Sequence, residues 1–111
     1  MSDCLFCKMV DKEIQPDIVK ETDDWLCFRD LNPQAPVHVL LIPKSHYSDI
    51  EDVDVPEVFG KLFQGICEIV QHLGLEDGYR VLTNKGVNGG QSVFHLHFHI
   101  LGKRKLGWPP G

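Results

Sequence analysis

No stretch of this 111-residue chain stays apolar long enough to cross a bilayer, which takes about 20 residues. Its opening, Met1-Ser2-Asp3-Cys4, lacks the basic and apolar regions of a secretory leader. Positive charge is also scarce. Eleven Lys and Arg stand against sixteen Asp and Glu, a net charge of -5, so there is no basic footprint for a nucleic-acid backbone. Internal repeats and low-complexity tracts are absent, and an ordinary apolar content with 24% charged residues argues against disorder. The length suits a single domain over residues 1–111 with a small core. These absences point to a soluble cytoplasmic protein with neither a membrane nor a nucleic-acid partner. In that compartment the four cysteines read as thiols or metal ligands rather than disulfides. A small anionic ligand stays open, because it answers to local donors rather than to net charge.

What the chain does have is Phe94-His95-Leu96-His97-Phe98-His99-Ile100-Leu101. Three histidines alternate with bulky apolar residues, and period two is the strand signature. His95, His97 and His99 then share one face, and Leu96, Phe98 and Ile100 the other. A row of imidazoles offers bases, acids, nucleophiles or metal ligands near neutral pH. Just before it, Gly89-Gly90-Gln91-Ser92 closes a loop from Asn84. Such a loop can turn backbone N–H groups toward an anion.

Upstream, Cys4-Leu5-Phe6-Cys7 has a spacing that can place two sulfurs on one tetrahedral ion. A short helical turn is expected from there to about Glu13, with Leu5, Phe6 and Met9 on its apolar side. Ile18–Glu21 and Trp25–Arg29 read as a hairpin around Thr22-Asp23-Asp24, followed by Asp30, a pure acceptor or a turn former. Val37–Ile42 reads as a central strand carrying His38 and stopped by Pro43. A helix is expected over Asp54–Leu73. Asp54 and Glu57 suggest a capping box, Pro56 sits in the first turn, and Gly74 is the stop. Its stripe of Val55, Val58, Phe59, Leu62, Phe63, Ile66, Ile69, Val70 and Leu73 is wide enough to cover a sheet. Gly60 and Gly65 suggest close packing, with another subunit as one partner. Tyr79–Thr83 is the next strand. Cys27 and Cys67 lie in apolar contexts and read as core thiols. The element order predicts a small α+β domain on an antiparallel sheet.

Taken together, the His-x-His-x-His row, Asn84, Gly89–Ser92, Phe28–Pro36, Leu41–Lys44 and the closing Gly107-Trp108-Pro109-Pro110-Gly111 resemble the histidine triad (HIT) family, in its nucleotide-binding, purine nucleoside phosphoramidase branch. The resemblance runs from Cys4 to Gly111. It implies a sheet of about five strands with one long and one short N-terminal helix, and a homodimer that continues the sheet. It implies His97 as nucleophile toward the α-phosphorus of a nucleotide, His99 and Ser92 as donors to phosphate and leaving group, and His38 in a proton relay. Asp30 would hold the ribose, with Asn84, Gly90 and Gln91 on phosphate. Leu5, Phe6, Met9, Phe28 and Leu31 would form the base slot, and Trp108 would reach the partner's site. Cys4, Cys7, His46 and His95 match a structural zinc site of some members, and zinc is not required for the chemistry. The implied substrates are purine nucleotides, AMP, GMP and their phosphoramidates. Arg29 and Leu31 vary in the family, which leaves base preference open. A dinucleoside polyphosphate hydrolase, a nucleotide-binding scaffold and a mainly metal-binding histidine row are the alternatives.

Overall fold

The computed structural model describes residues 3–111. Met1 and Ser2, part of the leader reading, lie outside the described residues. Five strands form one antiparallel sheet: β1 (Ile18–Glu21), β2 (Trp25–Arg29), β3 (Val37–Pro43), β4 (Tyr79–Leu82) and β5 (Phe98–Gly102). Their spatial order is β1-β2-β3-β5-β4. The connection from β3 runs through the long helix α2 (Pro56–His72) to the far edge, and β5 returns between β4 and β3. The expected α+β class and sheet are therefore present.

The sheet has two covered faces. On one, Trp25, Cys27, Val39, Leu41, Phe98 and Ile100 pack with Leu62, Ile66, Ile69 and Val70 of α2. On the other, Leu26, Phe28, Leu40 and Ile42 pack with Phe6 and Met9 of the short helix α1 (Leu5–Val10). Fully burying one such side chain stabilises the fold by about 1.5–3 kcal/mol. No helix among the described residues is long and apolar enough to cross a membrane.

Several local expectations are corrected. Helix α1 ends at Val10, not near Glu13, because Lys12 takes φ 65° and the Lys8 carbonyl accepts the N–H of Glu13. That left-handed residue closes the helix. Helix α2 has Val55 as its N-cap, without a side-chain cap bond. Asp54 lies one residue too early to form the expected box. Gly74 (φ 68°) stops the helix as expected. Gly65 is explained inside this chain, since a Cβ there would lie 2.6 Å from the Trp25 ring. Cys27 is buried, but Cys67 is exposed on α2 rather than in the core. Burial pushes the Cys27 thiol up to about 12.

The histidine row also differs. Its ladder begins only at Phe98, so His99 lies on β5 while His95 and His97 precede it. The Leu96 N–H bonds to the Tyr47 carbonyl at 2.6 Å, drawing this segment toward the loop after β3. The alternation of faces survives: Leu96, Phe98 and Ile100 join the α2-side core, and the histidines lie opposite.

Candidate active site and metal centre

Register brings the imidazoles together. On β3 and β5, Leu40 faces His99 and His38 faces Leu101, which makes His38 and His99 diagonal neighbours on one face. Diagonal neighbours lie within reach of ring side chains. His38 Nε2 is 2.9 Å from His99 Nδ1.

Backbone groups decide each ring's tautomer. The Gln34 N–H donates to His38 Nδ1 at 3.0 Å. A backbone N–H can only donate, so neutral His38 carries its proton on Nε2 and donates it to His99 Nδ1. His99 in turn carries its proton on Nε2. His97 Nδ1–H donates to the His95 carbonyl at 2.7 Å, which leaves His97 Nε2 as a bare lone pair. The Thr83 hydroxyl donates to the His97 carbonyl at 2.7 Å, standing in for a ladder bond where β4 has ended. His95 Nε2–H donates to the Pro43 carbonyl at 2.9 Å, so His95 Nδ1 is bare as well.

Burial keeps these rings neutral. It is the largest cause pushing His38, His97, His95 and His99 below the ordinary histidine range, the last two to about 4. The bonds to Pro43 and His95 oppose this at His95 and His97. At His99 the neighbouring His97 and His38 add to the lowering, and Asp30 opposes it. The Asp30 carboxylate stands 3.4 Å from His38 Nε2 and accepts the Asn32 N–H at 2.8 Å. It is therefore both turn former and neighbour of the His38–His99 pair.

His97 and His99 line a cavity of about 200 Å³ with Leu5, Phe6, Met9, Phe28, Asp30, Leu31 and Ser92. Phe6 meets the His97 ring edge-on at 5.1 Å and the Phe28 ring at 5.4 Å. Pro16, Arg29, Leu40 and Val93 complete the lining. Leu40 could have been found from its period-two relation to His38, but Pro16 and Val93 come from loops and left no signal. A wider cleft of about 620 Å³ at Lys103, Arg104 and Arg80 contains none of the histidines. There Arg80, Lys103 and Arg104 donate to the Gly107, Gly74 and Gln34 carbonyls.

Not every expected contact reaches the cavity. Gln91 is buried, and its amide donates to the Ser48 and Val93 carbonyls and accepts the Gly86 N–H. Its own N–H goes to the Gly86 carbonyl. These bonds hold the loop that presents Ser92. Asn84 and Gly90 (φ 84°) adjoin each other in that loop, outside the cavity lining. Trp108 is 82% exposed beneath the Arg80 guanidinium, also away from this chain's cavity.

Cys4, Cys7, His46 and His95 converge beside the site. Cys4 Sγ and Cys7 Sγ are 3.4 and 3.6 Å from His95 Nδ1, and Cys7 Sγ is 3.3 Å from His46 Nδ1. The two Nδ1 atoms are 3.1 Å apart. Tetrahedral zinc with ordinary bond lengths has edges of about 3.3 Å between nitrogens and about 3.6 Å between sulfur and nitrogen. The donor set, its edges and the bare Nδ1 of His95 all fit such an ion. Burial, then Cys4, raises the Cys7 thiol to about 11. A dication at that point reverses the effect by binding the thiolate.

A family model described as HIT domain matches residues 11–106. The chain is 44% identical over 115 residues to a 14 kDa zinc-binding protein of Zea mays, covering 99% of this chain and 89% of that one. A HIT family hydrolase from Legionella pneumophila Philadelphia 1 superposes with a TM-score of 0.95 at 44% identity, over 98% of this chain and 100% of that one. A histidine triad nucleotide-binding protein from Candida albicans gives 0.88 at 31% identity, over 96% and 83%.

Proposed function

The chain belongs to the HIT domain family, and we propose that it is a nucleotide-binding hydrolase that cleaves the P–N bond of purine nucleoside 5′-phosphoramidates. The observation that carries this reading is the bare Nε2 of His97 at a cavity with an apolar slot and a carboxylate. His97 Nε2 attacks the phosphorus, the Nε2–P bond forms and the P–N bond breaks. The amine leaves with a proton supplied through Ser92. Water then attacks phosphorus, breaks the Nε2–P bond and releases the nucleoside monophosphate. His99 Nε2–H donates to the phosphoryl oxygens, where a fixed donor stabilises developing charge. His38 holds His99 in that tautomer and relays its proton. Asp30 accepts from the ribose hydroxyls, and Leu5, Phe6, Met9, Phe28 and Leu31 enclose the purine. Asn84 and Gly90 contact phosphate from the loop when a ligand is bound.

The Cys4, Cys7, His46 and His95 set would hold zinc, which supplies a structural cross-link and no chemical step. A cytoplasmic homodimer completes the proposal. Phe59 and Phe63 stack at 6.0 Å on α2, and Phe63 is 47% exposed beside Gly60 and Cys67. Among the described residues β4 has a strand partner on one side only. That edge and that helix face support pairing with a second copy, which would bring Trp108 toward the partner's cavity.

The test is AMP release from adenosine 5′-phosphoramidate by the wild type and His97→Asn. Release by the wild type alone supports the reading. Equal release by both overturns the nucleophile assignment. AMP binding without release favours a nucleotide-binding scaffold, and faster turnover of a dinucleoside polyphosphate would replace the substrate class.

A further inference from the structure

A metal centre that only ties down a chain terminus needs no link to the chemistry beside it. His95 provides such a link. Its Nδ1 faces both cysteines and His46, its Nε2–H is anchored on the Pro43 carbonyl, and its own carbonyl accepts the His97 Nδ1–H at 2.7 Å. The ring is fully buried and anchored on Pro43, so a metal that fixes the ring also restrains the residue whose carbonyl holds His97. The carbonyl is the group that selects the nucleophile's tautomer.

A second route runs through α1. Cys4 Sγ accepts the Cys7 N–H at 3.3 Å and caps the helix, while the Cys4 carbonyl accepts the Lys8 N–H at 3.0 Å. Between the two cysteines lie Leu5 and Phe6, both in the cavity wall. Phe6 touches the rings of His95 and His97 edge-on, at 5.8 and 5.1 Å. Holding both sulfurs therefore holds the turn that shapes the apolar slot. Two independent connections join the same four ligands to the two halves of one site.

We propose that the Cys4–Cys7–His46–His95 centre is a positioning device. A bound metal orders the His97 nucleophile through the His95 carbonyl and the base slot through Leu5 and Phe6, so metal and nucleotide bind cooperatively. The inference rests on the nucleotide reading of the cavity. By linkage the effect is reciprocal: each ligand tightens the other by one factor.

The experiment uses the full chain with Co²⁺, whose visible bands report a tetrahedral sulfur–nitrogen site. Co²⁺ is titrated into metal-stripped protein with and without saturating AMP, and AMP affinity is measured with and without Co²⁺. The expected result is a matched tightening of both, about fivefold or more, with the cobalt bands shifting when AMP binds. Should the stripped chain not stay folded, the cobalt-loaded protein alone decides the matter through that band shift on AMP addition. In the wild type, the His97 Nδ1–H resonance should exchange more slowly once metal is bound. AMP that binds without moving the bands or its own affinity overturns the coupling and leaves the nucleotide site standing. Failure of AMP to bind in any form overturns the nucleotide reading and the coupling with it.

Discussion

Acid should destabilise this protein earlier than its carboxylates account for. His95 and His99 are neutral in the fold and held to about 4, and His38 and His97 are also held below the ordinary range. In the unfolded chain a histidine titrates near 6.5. The folded state therefore binds fewer protons between these values. Its stability is complete above about pH 6.5 and is lost as pH falls toward about 4. Each fully neutral ring contributes a slope of about 1.4 kcal/mol per pH unit. From pH 6.5 to 5 buried His95 supplies about 2 kcal/mol. His99 is partly exposed, and solvent screening reduces its share to about 1 kcal/mol. Together they approach 3 kcal/mol, a large part of the 5–15 kcal/mol of a typical domain. Glu21 is held below its usual value by hydrogen bonds from Lys12 and Lys44, which moves its own effect away from the range of about pH 6.5 to 5. The assay is urea unfolding at pH 7.5, 6.5, 5.5 and 5.0 with chelator present, so that metal does not compete with protons at His95. The wild type should lose about 3 kcal/mol between pH 6.5 and 5, and His99→Asn about 1 kcal/mol less. A loss under about 0.5 kcal/mol in the wild type would refute the reasoning, because the rings would then be charged or freely solvated in the fold.

Two further predictions follow from packing. Gly65→Ala places a methyl group 2.6 Å from the buried Trp25 ring. Overpacking of about 1–3 kcal/mol outweighs about 1 kcal/mol of helix propensity, so the urea midpoint should fall at unchanged slope; a rise would show that Trp25 is free to move. Gln91→Leu removes an acceptor and two donor contacts at a buried position and should cost about 2–4 kcal/mol. Faster hydrogen exchange at the Gly86 N–H should accompany it, and unchanged exchange there would mean that other bonds hold the loop.

Alternation alone marked the histidine face. Leu96, Phe98 and Ile100 go to the α2 core and His95, His97 and His99 to the opposite side, because side-chain direction in extended chain is a local property. The stripe Val58–Leu62–Ile66–Ile69–Val70 likewise announced α2, and Gly74 its end. Helix starts were less legible, since Asp54 looked like a cap and the chain turns one residue later. The four ligand residues, two cysteines and two histidines, were visible as a set through the family resemblance. Their convergence within 4.8 Å depends on strand register and on the loop after β3.

Residue types and spacing by themselves do not give the tautomers. They are set by the Gln34 N–H and by the His95 and Pro43 carbonyls, backbone groups that no side-chain type advertises. Gln91 shows the same limit from the other side: nothing in the sequence signalled that its side chain would be buried and donate to the Ser48 and Val93 carbonyls as a loop strut. Residue order along the chain therefore determined the family, the elements and the face that carries chemistry. Only the tertiary structure decided which lone pairs on that face are bare, because a hydrogen bond's direction is settled by partners brought together from distant parts of the chain.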